Sequence, residues 1–163
     1  MEAFLKSLGT KRPEGAELGR VTPAVLAYVG DSVYECHVRL WVALRLEGPI
    51  NRFHRETVRY VNASAQADIV GLMGDILTES EREIIRKGRN VKTGRPPRNA
   101  DVGDYRLATG WEALIGYLYL SGEMERLQHL ISCGLQRLSE KEEAPAVEHQ
   151  DNILSASSEV SSQ

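Results

Sequence analysis

The stretch that decides the fold reads AYVGDSVYE, at residues 27–35. It places the carboxylate of Asp31 among alanine, valine and tyrosine, in a segment typical of a helix that packs into a core. A charge buried without a partner is strongly destabilising. Asp31 is therefore expected to have a basic partner, a metal ion or a water-filled cleft.

A second acid occupies a similar setting, because residues 109–120 read TGWEALIGYLYL and place Glu112 in another apolar helix. Two acids in two apolar helices predict a metal site inside a helical bundle. The alternative is that each acid forms an ion pair with an arginine of a neighbouring helix. The candidate partners are Arg39, Arg59 and Arg106.

The chain of 163 residues, 42% of them hydrophobic, fits one domain. Strand-like alternation is short and helix signals are frequent, which predicts an all-α fold. Thr22 and Pro23 begin a helix expected to reach about residue 46. Thr78 and Glu81 have the spacing of a capping box, and Gly88 is expected to end that helix.

Four further helices are expected: from near residue 51, from a cap at Ser64 to about 73, from 101 or 104 to 121, and from 123 to 138. After that the chain has six acids, one base and few large apolar groups. The interpretation is a domain at residues 1–138 and an acidic, serine-rich disordered tail at 139–163.

The apolar runs are shorter than the ~18 to 20 residues that cross a bilayer. The N-terminus also lacks the basic start and apolar core of a secretory signal. These features predict a soluble cytoplasmic protein with no membrane partner. Cys36 and Cys133 lie in apolar helical contexts and lack zinc-ligand spacing, which argues against a disulfide and a zinc site.

Residues 86–98 form a basic cluster with six lysine or arginine residues and no acid. Glycine and proline make residues 89–100 a loop. The cluster leads directly into the segment that carries Glu112, which favours contact with an anionic partner. The alternative is an ordinary solvated surface.

The two acidic helices resemble those of the ribonuclease III family. Residues 26–33, LAYVGDSV, resemble its signature helix with a metal-binding aspartate at Asp31, and residues 111–120, WEALIGYLYL, resemble its later helix with a metal-binding glutamate at Glu112. The resemblance covers roughly residues 20–138, and no double-stranded-RNA-binding domain follows. The chain is therefore similar to the Mini-ribonuclease III branch, which has the catalytic domain alone.

This resemblance implies a homodimeric, all-helical endonuclease that cleaves double-stranded RNA and leaves 5′-phosphate and 3′-hydroxyl ends. It implies Mg²⁺ as the cofactor, with Mn²⁺ as a substitute, held by the catalytic pair Asp31 and Glu112. For this branch it also implies maturation of large-subunit (23S) precursor ribosomal RNA. The expected RNA-binding residues are Lys87, Arg89, Lys92, Arg95 and Arg98.

Two positions depart from the wider family. Its glutamate four residues before the signature aspartate is Ala27 here, and its aspartate three residues before the later glutamate is Thr109. The Mini-ribonuclease III branch shares both departures. They leave open a catalytically inactive module that binds structured RNA or a ribosome, and a helical protein-interaction module is a third hypothesis.

Two other acids have simpler expected roles. An ion pair with Arg39 is the favoured role for Glu35, although it lies one helical turn after Asp31. Helix capping is favoured for Asp101 over a contribution to the metal site.

Overall fold

The computed structural model describes residues 2–91 and 101–143, which form helices and no strands, so the predicted all-α fold is confirmed. None of the helices in these two ranges is long and apolar enough to cross a membrane. The helices are α1 (Glu2–Ser7), α2 (Ala16–Arg20), α3 (Pro23–Ala43), α4 (Ile50–Val61), α5 (Ala63–Leu72), α6 (Glu79–Arg89), α7 (Val102–Ser121) and α8 (Met124–Glu143).

Helix α7 is the centre of the fold, and α3, α5, α6 and α8 pack around it. The side chain of Trp111 on α7 is fully buried. Its indole ring packs edge to face on the ring of Tyr34 on α3, with ring centroids 6.1 Å apart. The hydroxyl of Tyr34 in turn donates a hydrogen bond to the carbonyl of Tyr60 at the end of α4, at 3.0 Å. These contacts join α3, α4 and α7 into one core.

Two glycines allow α3 and α7 to cross at backbone contact. A Cβ atom on Gly30 would lie 1.8 Å from the carbonyl oxygen of Glu112, and one on Gly116 would lie 1.9 Å from the carbonyl oxygen of Leu26. No side chain fits at such distances, so glycine is needed at both positions for this crossing. The crossing brings the residue after Gly30, which is Asp31, to the same part of the fold as Glu112.

Local capping signals predict several helix starts correctly. The hydroxyl of Thr22 accepts a hydrogen bond from the backbone of Val25, and Thr78 and Glu81 form the predicted capping box. Asp101 caps α7, because its carboxylate accepts from the backbone N–H groups of residues 103 and 104 at 2.7 and 3.0 Å. The capping role predicted for Asp101 is therefore confirmed.

Other helix ends differ from the predictions. Helix α3 ends at Ala43 instead of about residue 46, and Asn62 caps α5 in place of Ser64, with its side chain accepting from Ala65 at 2.9 Å. Gly88 does not end α6, which continues to Arg89. Gly88 is instead buried at the crossing of α6 and α7, where a Cβ atom would lie 2.8 Å from Gly110.

Helix α8 continues to Glu143, past its predicted end at about residue 138, so the first residues of the predicted tail are helical. Two ion pairs hold this last turn: Lys141 contacts Asp68 at 2.8 Å, and Glu142 contacts Arg59. The last turn of α8 thus makes polar contacts with α4 and α5. The rest of the predicted tail, residues 144–163, lies outside the described residues.

Candidate active site

Asp31 lies on the surface of α3, whereas its neighbour Gly30 is buried. Asp31 is therefore not buried, as its apolar segment suggested, but lines an open cleft. Partial desolvation, and secondarily the nearby charge of Glu35, raise the pKa of Asp31 above its ordinary value. The charge costs less here than it would in the core, and the carboxylate is accessible to a ligand.

Glu112 is half-buried on α7. Burial, with the negative charge of Asp31 as a second cause, raises the pKa of Glu112 to about 7, and a hydrogen bond from Gln66 opposes this rise. Both side chains line the same cleft, which is the geometric reason for this effect. Their negative charges are thus concentrated in one place.

Asp31 and Glu112 line one open cleft with a volume of about 340 Å³. Ala27 and Thr109, the positions that are acidic in the wider family pattern, also line it. The hydroxyl of Thr109 is occupied within its own helix, because it donates to the carbonyl of Tyr105 at 3.0 Å. The structure therefore brings the two predicted acids to one cleft. Ala27 and Thr109 add no negative charge to it.

The ion-pair alternative fails for the described part of the chain. Neither Asp31 nor Glu112 forms an ion pair there. Arg39 pairs with Glu35, its Nε donating to Oε1 at 3.0 Å, which confirms the predicted role of Glu35. Arg59 pairs with two other glutamates, Glu56 and Glu142.

The donor set suits a hard divalent cation. Two carboxylates that repel each other in an open cleft provide oxygen ligands and uncompensated negative charge, and Mg²⁺ is commonly bound by one or two carboxylates with water and substrate phosphate. Within residues 2–91 and 101–143 there is no cluster of three or more histidine, cysteine or acidic residues able to hold a metal. The two acids that line the cleft could supply carboxylate oxygens to such an ion.

The sequence interpretation missed Gln66 on α5. Its Nε2 donates hydrogen bonds to Glu112 Oε1 at 3.2 Å and to the carbonyl of Val61 at 2.9 Å, and the side chain is buried. The signal in the sequence is weak: a glutamine between Ala65 and Ala67 in an otherwise small and apolar segment. Its partner Glu112 is 46 residues away in sequence.

The predicted RNA-binding residues fall into two groups. Lys87 and Arg89 are exposed near the end of α6, and Lys92, Arg95 and Arg98 lie outside the described residues. The acid-free cluster is partly neutralised by Glu83, one turn earlier, which contacts Arg86 at 2.7 Å and Lys87 at 3.6 Å. Arg89 forms no ion pair with any residue that the structure describes.

Comparisons with known proteins agree with this arrangement. The ribonuclease III domain family matches residues 24–123, which include both acids. A Mini-ribonuclease 3 of Thermoanaerobacter is 42% identical over 140 residues, covering 86% of this chain and 97% of the relative. A Mini-ribonuclease 3 of Symbiobacterium thermophilum is 45% identical over 109 residues, covering 67% of this chain and 84% of the relative.

The fold is also similar to a solved structure. The crystal structure of a protein from Fusobacterium nucleatum matches with a TM-score of 0.64 and 28% identity, covering 72% of this chain and 93% of that one. The family match at residues 24–123 therefore extends over the helices that build the cleft. The chain belongs to the ribonuclease III family, in its Mini-ribonuclease 3 branch.

Proposed function

We propose that this chain is a divalent-metal-dependent endoribonuclease that cleaves double-stranded RNA, with Asp31 and Glu112 as its catalytic pair. The observation that carries the proposal is the cleft in which these two carboxylates, from α3 and α7, lie together without a basic partner among the described residues. Membership of the ribonuclease III family supports the same reaction class.

Asp31 and Glu112 would hold Mg²⁺, with Mn²⁺ as a substitute. When bound, the ion neutralises the phosphodiester charge and makes a water molecule more acidic. Asp31 is exposed and can be reached by a bulky duplex, whereas half-buried Glu112 is held by the core. Because the pKa of Glu112 is raised to about 7, its carboxyl group must lose its proton to act as a ligand near neutral pH.

Hydrolysis that breaks the bond between phosphorus and the 3′ oxygen leaves 5′-phosphate and 3′-hydroxyl ends, which we propose as the products. We propose precursor 23S ribosomal RNA as the natural substrate, and hence a cytoplasmic location. The resemblance to the Mini-ribonuclease III branch supports these assignments. A-form duplexes are recognised mainly by their shape and backbone. The exposed basic side chains of Lys87 and Arg89 therefore suit a duplex RNA partner.

The same proposal includes a homodimer, which an apolar stripe on α3 supports. Positions 25, 28, 32, 36 and 40 recur every three or four residues on the face opposite the buried side chains. Val25, Tyr28 and Leu40 on this stripe are 49%, 79% and 57% exposed. An exposed apolar face of this kind is typical of a protein interface, and a two-fold pairing of α3 would place both clefts on one assembly.

Incubation of the protein with a duplex RNA and Mg²⁺ tests the catalytic assignment. Wild type is expected to cut, whereas Asp31→Asn and Glu112→Gln reduce cleavage by several orders of magnitude. Glu35→Gln is the matched control, because Glu35 is on the same helix as Asp31 but pairs with Arg39; it is expected to keep most activity.

The absence of acids at Ala27 and Thr109 favours one second candidate, an inactive module that binds structured RNA. That candidate predicts duplex binding without cleavage by the wild type. Cleavage that persists in Asp31→Asn or Glu112→Gln would instead show that the acids have been assigned the wrong role. A chain that neither cuts nor binds duplex RNA would favour the protein-interaction hypothesis.

A further inference from the structure

Gln66 is a buried amide that contacts Glu112, one member of the proposed catalytic pair, but lies outside the cleft. Its side chain is 2% exposed, and it is not among the residues that line the cleft. It cannot bind substrate directly. Its Nε2 nevertheless contacts Glu112 Oε1 at 3.2 Å, so it can act on the site only through Glu112.

The two acceptors around Gln66 determine its orientation. A primary amide nitrogen has two N–H groups, and both are used here, one for Glu112 and one for the carbonyl of Val61 at 2.9 Å. Turning the amide over would place its oxygen against two acceptors. Gln66 is therefore anchored at the end of α4 and directs a donor at one chosen oxygen of Glu112.

The hydrogen bond holds one side of the Glu112 carboxylate. Oε1 accepts from Gln66, whereas Oε2 accepts no hydrogen bond from any residue in the described ranges. A donor directed at a half-buried carboxylate stabilises its ionised form and restricts its rotation. Partners of this kind orient metal ligands, and their loss typically weakens metal binding by about 10–100-fold.

We infer that Gln66 is a positioning residue that fixes the Glu112 carboxylate for a divalent cation held with Asp31. The inference rests on the proposed function, because it assumes that the cleft binds such an ion. It assigns the work of orienting Glu112 to α5, a helix that contributes none of the residues lining the cleft.

A purely structural role for Gln66 is the competing explanation, since the Val61 carbonyl at the end of α4 also needs a donor. The neighbouring carbonyl of Tyr60 receives the same help from the Tyr34 hydroxyl, at 3.0 Å. Tyr34→Phe is therefore a matched control. It removes a buried hydrogen bond to the same turn of α4 and leaves the bond between Gln66 and Glu112 in place.

The experiment compares Gln66→Met, Gln66→Asn and Tyr34→Phe with wild type in the full chain. Mn²⁺ binding is measured by electron paramagnetic resonance of the free ion, and the thermal midpoint is measured in EDTA. We expect both Gln66 variants to bind Mn²⁺ at least about tenfold more weakly than wild type, and Tyr34→Phe to bind it normally. Gln66→Asn keeps the amide but is one methylene shorter, so it provides the measurement if Gln66→Met does not fold.

Cleavage kinetics provide a second measurement. The Gln66 variants should need more Mn²⁺ for half-maximal cleavage, regain kcat at high Mn²⁺, and keep the wild-type KM for duplex RNA. The inference is overturned if they bind Mn²⁺ like wild type while their thermal midpoints fall as that of Tyr34→Phe does. Wild type that binds Mn²⁺ through Asp31 and Glu112 but leaves RNA uncut would refute the proposed function, with the role of Gln66 intact.

Discussion

Gly30 meets Glu112 at backbone contact: a Cβ atom on Gly30 would lie 1.8 Å from the carbonyl oxygen of Glu112. Gly30→Ala must therefore push α3 and α7 apart. We expect it to lower the free energy of unfolding by about 3 kcal/mol or more, as measured by urea unfolding. Because Asp31 follows Gly30 directly, the displacement should also reduce cleavage by any variant that still folds.

The control is Gly71→Ala on α5, where a new Cβ atom has no neighbour within 4 Å. There alanine should stabilise the helix by about 0.5–1 kcal/mol. Equal effects at the two glycines would show that the α3–α7 crossing adjusts to a side chain, and that close approach is not what selects glycine at position 30.

Local signals predicted six of the eight helices in the described residues, and the two short helices α1 and α2 were not predicted. Some helix ends and buried positions depend on contacts between helices, which local sequence does not report. The capping box of Thr78 and Glu81 spans four residues and needs no tertiary information. Gly88 has the local character of a helix end, yet it is buried because Gly110 packs against it. The last turn of α8 similarly contacts Asp68 and Arg59, which are distant in sequence.

Glu112 should make the metal-free protein less stable as the pH rises. Its pKa is raised from 4.5 to about 7, so the folded state holds the proton more tightly than the unfolded state does. The contribution of Glu112 to the free energy of unfolding is complete below pH 4.5 and is lost as the pH rises through 7. The total loss is about 3 kcal/mol at most. The stability of Glu112→Gln relative to wild type should therefore increase as the pH rises from 5 to 8, as measured by urea unfolding in EDTA.

Glu83→Gln is the control for this pH dependence. A hydrogen bond from Arg86 lowers the pKa of Glu83, so its contribution has the opposite sign and is lost in acid, below the measured range. Between pH 5 and 8, the free energy of unfolding of Glu83→Gln should change with pH as that of wild type does. If the same holds for Glu112→Gln, the carboxyl group of Glu112 does not titrate near neutral pH in the folded protein.

The site was predictable where it follows from sequence pattern and hidden where it depends on side-chain direction. The apolar context and the resemblance both predicted Asp31 and Glu112, but the apolar context of Asp31 also suggested burial. Helix α3 is apolar on two faces, one in the core and one exposed through Val25, Tyr28 and Leu40, which explains the error. Gln66 was missed because no local pattern reports a hydrogen bond to a residue 46 positions away.

The exposed stripe of α3 predicts that a charge placed on it prevents dimerisation. Leu40→Glu is expected to sediment as a monomer at concentrations where wild type is a dimer, because association would bury the new carboxylate against apolar side chains. Val58→Glu is the control: Val58 on α4 is 59% exposed, similar to Leu40, but lies outside the stripe. Wild type that is monomeric at micromolar concentration would refute the dimer.

Arg89 should contribute more to duplex RNA binding than Arg86, although both are exposed on α6. Arg86 is held by two hydrogen bonds to Glu83, each 2.7 Å long, whereas Arg89 has no acidic partner among the described residues. Arg89→Ala should weaken binding and reduce the slope of log affinity against log salt by about 0.9, the value for one phosphate contact on B-DNA. Arg86→Ala should change that slope much less.

The measurement is fluorescence anisotropy with a labelled duplex, in the Asp31→Asn background so that the RNA stays intact. The triple variant Lys92→Ala, Arg95→Ala and Arg98→Ala extends the test to the rest of the basic cluster. It should weaken binding further and leave the thermal midpoint nearly unchanged, because phosphate contacts stabilise the complex and contribute nothing to the free protein. A large fall in that midpoint would mean that these three residues support the fold, and an affinity independent of salt would remove the basic cluster from the RNA interface.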